Sequence, residues 1–337
     1  MKHIYELDGV RALSIIAVLS AHLLPLGPSW MELNHSTALL GMSMFFALSG
    51  FLITNFLYSS PDRIAAFFIR RTMRIAPLLW LYAFIVAVLI FGRWDSFLAV
   101  ITFTMNYRDD MIMPGMSHLW SICVEFHFYI FIGLTIWAFG RRGFWLVPLV
   151  FLIILALRID VGATDNIRTH LRVDEIFAGS LTALLWRNRD HGLARKAYGL
   201  IGKGFWLWFV LLLLSCHKSM GGLMFFRPFF GFLVLTALLD MKEGWLRRFL
   251  RWNVFTYIAG ISYALYIWHP LFRLGWLGEQ GSKLFFYLVK RPIAIFLSFL
   301  FAHISTNTYE RYFMKLGRRM EAKLDAREKT RSDQTGG

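Results

Sequence analysis

The apolar run LDGVRALSIIAVLSAHL, residues 7–23, carries Arg11 near its start and His22 near its end. Ionisable groups are expensive in hydrocarbon, so inside such a run they mark a functional site by default. On a helix the two lie roughly 16 Å apart, about half a bilayer core. An imidazole titrates near neutrality and can take a proton from a hydroxyl. The alternative is a histidine hydrogen-bonded between packed helices. In HLWSICVEFHFYIF, residues 118–131, Glu125 stands several residues into another apolar run. It shares a helix face with Ser121, and His118 lies one turn earlier. An unpaired carboxylate there is costly unless protonated. Glu125 is expected to meet His22 and orient or charge-stabilise it, against the alternative of a structural carboxylate paired with an arginine.

Three further groups could contribute. In FFIRRTMRIAPLLW, residues 67–80, Arg70, Arg71 and Arg74 enter a helix, with Arg70 and Arg74 on one face. Guanidinium forks suit phosphate and pyrophosphate, although arginines at a span boundary also follow from topology and from anionic lipid. His269 and Pro270 close the run GISYALYIWHPLF, where His269 either joins the polar cluster or caps a helix end. Arg172, Asp174 and Glu175 cluster at a helix start in THLRVDEIFAGSLTALL, and carboxylates there favour a capped N-terminus.

The elements that must position these residues are membrane helices. Hydrophobic residues make up 57% of 337 and only 17% are charged, with a mean hydropathy of +0.52. A soluble domain carries nearer a quarter charged residues. The expected fold is all-α, a polytopic integral membrane bundle of about ten transmembrane helices. The expected spans are residues 8–26, 38–58, 75–92, 119–139, 143–158, 172–187, 204–216, 222–240, 254–272 and 284–306. Residues 97–107 are too short to cross and read as re-entrant or interfacial. Gly41, Ser43, Ala47, Ser49 and Gly50 would let helices approach closely, and would also leave room for a slender substrate.

The net charge of +15 does not point to nucleic acid, because the cations sit in short segments between apolar runs. With ten spans, 24 of the 36 Lys and Arg fall on one side of the membrane. The positive-inside rule then puts both termini in the cytoplasm of a cell inner (plasma) membrane. Cys123 and Cys216 show no metal spacing and read as small buried hydrophobes, so no metal site is expected. The first span is expected to act as the uncleaved insertion signal, with no removable leader. One membrane domain is expected over residues 1–310. A basic cytoplasmic tail, 311–337, is expected to fray after about Met314, and no second soluble domain is seen.

Taken together, LDGVRALSIIAVLSAH, FFALSGFLI, RRTMRIAPLLWLY, HLWSICVEFHFY, RVDEIFAGSL and SYALYIWHPL resemble, in order, the blocks of the membrane-bound acyltransferase 3 family. The resemblance covers residues 5 to about 310. It implies transfer of an acetyl or other short acyl group from the coenzyme A thioester to a hydroxyl. Typical acceptors are exopolysaccharide, lipopolysaccharide, peptidoglycan, lipo-oligosaccharide or a small metabolite. By this resemblance His22 and Arg11 match the family's essential pair, Glu125 its acidic position, and Arg70, Arg71 and Arg74 its basic motif; His22 and Glu125 are expected to be catalytic, and Arg11, Arg70, Arg71 and Arg74 to contact acetyl-CoA. Asp8, Ser49, Ser121, His118, Arg172, Asp174, Tyr263 and His269 are supporting or substrate residues. Two departures stand out: Glu125 is followed by Phe126 and His127 where many members have a second acid and a Gln, and His269 is followed directly by Pro270 where many have an insertion. Some relatives carry an extra esterase-like domain, and none is expected in a sequence of this length. The rival function is a transporter or flippase of a saccharide or acylated metabolite that uses His22 and Glu125 as a proton relay.

Overall fold

A computed structural model of the chain describes residues 3–335, with side chains through Ala326. It is helical, with no strand among the described residues. In order the helices are α1 (Tyr5–Leu23), α2 (Leu33–Ser59), α3 (Ile64–Ala83, continued by π-helical Phe84–Ile90), α4 (Trp94–Ile101), α5 (Trp120–Phe139), α6 (Leu146–Asp160), α7 (Asp174–Arg187), α8 (Gly192–Gly202), α9 (Phe205–Ser215), α10 (Arg227–Asp240), α11 (Trp245–Leu250), α12 (Asn253–Trp268), α13 (Lys283–Phe285), α14 (Arg291–Ser305) and α15 (Arg311–Thr335).

The ten expected spans fall on α1, α2, α3, α5, α6, α7, α9, α10, α12 and α14. By length and composition, five continuous helical stretches among the described residues can cross a bilayer, or six if the bent pair α8–α9 is one broken span. One of the five, Ser117–Asp160, includes both α5 and α6, and the chain folds back between them at Gly140, whose φ is +55°. α1, α7 and α12 are shorter or more polar because neighbouring helices, rather than lipid, surround much of their surface. α4 spans eight residues, too few to cross, which agrees with the reading of this region as re-entrant or interfacial. Exposed Trp137, Trp145, Leu152, Trp206, Leu207, Leu288 and Phe296 give the outer surface its apolar character. Both cysteines are free and buried.

α2 is the hub, packed on α1 and α7. The α2–α7 crossing rests on two reciprocal glycines. A Cβ at Gly50 would stand 1.8 Å from the Ile176 carbonyl oxygen, and one at Gly179 would stand 1.8 Å from that of Ala47. Backbone meets backbone there, as small residues permit in membrane bundles. Gly179→Val is therefore expected to destabilise the bundle by about 1–3 kcal/mol, read as a lower melting temperature in detergent. A variant melting with the wild type would contradict this packing.

The start of α1, the start of α3 and the described part of α15 lie at one face of the bundle, called here the arginine face. Glu6 on α1 accepts from Arg247 Nε at 2.6 Å and Arg251 Nε at 2.8 Å. The tail does not fray over its described side chains. α14 runs through π-helical Thr306–Glu310 into α15, which packs along α3. Its few inward positions suffice: Gly317 touches Met73 and Ile69, and buried Glu321 pairs with Arg63 and Arg70. The overall polarity of this segment concealed a helix with one complementary face.

Candidate active site

A cavity of about 800 Å³ runs inward from the arginine face. Helical spacing builds its walls. Ser121, Glu125 and Tyr129 follow one another four residues apart on α5 and so form one stripe. α1 contributes Arg11, α2 contributes Ser49, α3 contributes Arg70, Arg71 and Arg74, and α12 contributes Tyr263 and Tyr266. The mouth is cationic. Arg71 stands 5.7 Å from the centre of the Tyr129 ring, and Arg11 lies within electrostatic reach of Arg71, Arg74 and Glu125.

Midway along, the Ser49 hydroxyl donates to the Glu125 carboxylate. Tyr263 donates its hydroxyl to the Ile75 carbonyl at 2.6 Å, tying α12 to α3. At the inner end, Tyr266 donates to the His118 carbonyl at 2.6 Å, and Ser121 Oγ lies 2.7 Å from the Tyr266 oxygen. These two hydroxyls fasten the start of α5 to α12.

Beyond them lies a layer of three imidazoles. His22 Nδ1 is 2.9 Å from His269 Nε2, with the two rings nearly parallel at 11°. His269 Nδ1 faces the Tyr266 carbonyl at 2.8 Å and the Leu265 carbonyl at 3.1 Å. Carbonyls only accept, so Nδ1 of His269 carries a hydrogen. In a neutral ring its Nε2 is then an acceptor. This network assigns the tautomer of the second ring too: His22 Nδ1–H donates to His269, and the lone pair stays on His22 Nε2. His118 packs edge-on 5.4 Å from His269.

Several expectations change. Glu125 does not orient His22. Its partner is Ser49 on the arginine side, and two helical turns, about 10 Å, separate it from His118. The partner of His22 is His269, a pairing that sequence spacing could not show because 247 residues intervene. His22 is half-buried and does not line the cavity, which stops one layer short at Ser121 and Tyr266. Arg70 lines the mouth but is already engaged by Glu321, through Nε at 2.6 Å and through Nη2. Asp8 pairs with His3 at 2.6 Å and lies off the cavity.

Arg172 and Asp174 are buried away from the cavity, in an ion network that joins α6, α7 and α10. Arg158 pairs with Asp174, Arg227 with Glu175 at 2.8 Å and Arg172 with Asp165 at 3.0 Å. Arg172 also stands 5.3 Å from the centre of the Trp120 ring. These pairs tie the three helices together, and neither Arg172 nor Asp174 lines the cavity. The four-residue stripe on α5 was the available signal for Tyr129. Tyr266 had its own signal, one turn from His269. Arg318, which also lines the cavity, had none, because it falls in the segment read as a fraying tail.

The molecule is thus a helical membrane bundle with an arginine-mouthed cavity and a paired imidazole just past the cavity's end. The chain belongs to the acyltransferase 3 family, whose model, described as an acyltransferase domain, matches residues 4–306. It is similar to the peptidoglycan O-acetyltransferase OatA of Listeria monocytogenes, with 27% identity over 325 residues, covering 81% of this chain and 50% of that protein. A Bacillus subtilis protein with a provisional peptidoglycan O-acetyltransferase name is 25% identical over 341 residues, covering 87% of this chain and 52% of its own. A Staphylococcus aureus protein with a provisional O-acetyltransferase name is 24% identical over 369 residues, covering 94% and 58%. The chain thus spans about half the length of the curated relatives it matches. No solved structure matches it.

Proposed function

We propose that this chain transfers an acetyl or other short acyl group from a coenzyme A thioester to a hydroxyl of a cell-surface saccharide. Peptidoglycan is the acceptor named for relatives; exopolysaccharide, lipopolysaccharide and lipo-oligosaccharide offer the same hydroxyl chemistry. The observation that carries the reading is the cavity, cationic at its mouth and ending next to the His22–His269 pair. Its volume lies in the range of pockets that enclose small ligands. Arg71, Arg74 and Arg11 suit the phosphates of the donor, since guanidinium forks bind phosphate through paired hydrogen bonds. The donor supplies an activated thioester when bound.

The chain's own residues do the rest. His22 Nε2 takes the acceptor's hydroxyl proton as the hydroxyl oxygen bonds to the thioester carbonyl carbon; the carbon–sulfur bond breaks, and the imidazolium, its charge shared through Nδ1–H with His269, returns that proton to the leaving coenzyme A sulfur. Glu125, held by Ser49, offsets the arginine charge midway along the cavity. A saccharide hydroxyl reaches His22 from the face opposite the arginines. This reading puts the arginine face and both chain ends in the cytoplasm of a plasma membrane, a placement supported by the excess of Lys and Arg there. The membrane domain would cover residues 1–310, and 311–337 would be its basic cytoplasmic extension.

The test is transfer of labelled acetyl groups from acetyl-CoA to saccharide by membranes containing the chain. Label accumulating inside vesicles without acetylation would favour transport instead. His269 is a positioning residue in this scheme. His269→Ala is expected to reduce transfer about 10²-fold through loss of alignment, whereas His269→Gln, whose amide oxygen can accept from His22 Nδ1, retains more activity at equal melting temperature. Equal loss in both variants would remove the acceptor role.

A further inference from the structure

The helix beyond the family-matched segment completes the cavity. The family match ends at residue 306, yet Met314, Gly317 and Arg318 of α15 line the cavity together with Arg71 and Arg74 of α3. α15 is held there closely: a Cβ on Gly317 would stand 3.1 Å from Met73 Cβ. One turn on, Glu321 binds Arg63 at 2.7 Å and both Arg70 nitrogens on its side. Asp325 takes the same Arg63 nitrogen at 2.7 Å. The clasp therefore consumes the charge of Arg70 and Arg63. Arg71, Arg74 and Arg318 form no ion pair among the described residues. The exposed Arg318 guanidinium is thus a free cation at the rim of an arginine-lined cavity, on a helix fixed by the neighbouring Glu321.

We propose that Arg318 is a binding residue for the phosphate-bearing end of the thioester donor, with the Glu321–Arg70–Arg63 clasp serving to seat α15 as one wall of the donor site. The inference rests on the coenzyme A reading above. It assigns to α15, and to Arg318 in particular, a share of donor recognition that the transmembrane arginines do not supply alone. Arg70, spent in the clasp, acts through the position of α15.

Calorimetric titration of the purified full-length chain with coenzyme A and with pantetheine, which lacks the nucleotide phosphates, tests this without any turnover. Arg318→Gln is expected to weaken coenzyme A binding roughly 10-fold or more and to leave pantetheine binding unchanged. Arg318→Lys should recover part of the loss, and Lys315→Gln, a charge change on the same helix outside the cavity lining, should bind as the wild type does. Wild-type affinity in Arg318→Gln, with the other proteins binding normally, overturns the role of α15 and leaves the donor reading standing. A wild-type chain that binds neither compound overturns the donor reading itself. Equal weakening for coenzyme A and pantetheine also counts against the proposal, because it marks a structural rather than a phosphate-binding residue.

Discussion

Replacing His22 with alanine is expected to lower acyl transfer by roughly 10²–10⁴-fold, the contribution of a positioned general base, while the chain still inserts and folds. The half-buried ring makes one side-chain hydrogen bond, to His269. Removing it leaves His269 Nε2 without its donor, which costs about 1–3 kcal/mol for a buried acceptor. That is a modest fall in melting temperature for a chain of this size, far less than unfolding. Rate and stability thus separate. The measurement is initial acetylation rate per folded molecule beside a melting curve of the same preparation. Wild-type rates from the alanine variant would sink the assignment of the base.

The opposite pattern is expected of Asp174→Ala. Arg158 is fully buried on α6 and donates to Asp174, with backbone carbonyls of Ala163 at 3.1 Å and Thr164 at 3.2 Å as its other close acceptors. Deleting the carboxylate leaves a buried guanidinium uncompensated, and breaking a buried pair from one side costs about 3–5 kcal/mol. The neighbouring pairs at Arg172 and Arg227 share the same interior and would feel the change. Yield of detergent-stable protein and melting temperature should fall sharply. The molecules that fold should transfer at near wild-type rate, because the network lies off the cavity. Replacing Arg158 and Asp174 together with apolar residues of similar volume should recover most of the stability, as such exchanges do elsewhere. Retained stability in Asp174→Ala would show that the pair is relaxed by water or by a rearranged Arg158.

The two variants also show which parts of the molecule could be read along the chain. Arg11 and His22 were legible because any charge inside an apolar run is anomalous against its neighbours. Ser121 and Glu125 were legible because four-residue spacing puts them on one face whatever the helix packs against. The close approach of α2 to its neighbours was legible in Gly41 and Gly50. The partner of each polar group was not. Spacing suggested Glu125 for His22, but α12 brings His269 to that ring and α2 brings Ser49 to the carboxylate. Arg172 and Asp174 looked like a helix cap, and only the positions of Arg158 and Arg227 on other helices make them a buried network. Glu321 and Arg318 were hidden for a further reason: averaged over the tail, charge swamps a narrow packing stripe.

By itself the amino-acid sequence determined the solvent, the helical class, the positions of ten apolar segments and the residue types able to do acid–base and phosphate-binding chemistry. These follow from local physics, namely the cost of peptide groups and charges in lipid and the periodicity of a helix. Only the tertiary structure decided which groups meet: His22 with His269, Glu125 with Ser49, Arg70 with Glu321. Pairing across a helix bundle depends on crossing geometry and on how closely backbones approach, and neither is encoded within any one segment.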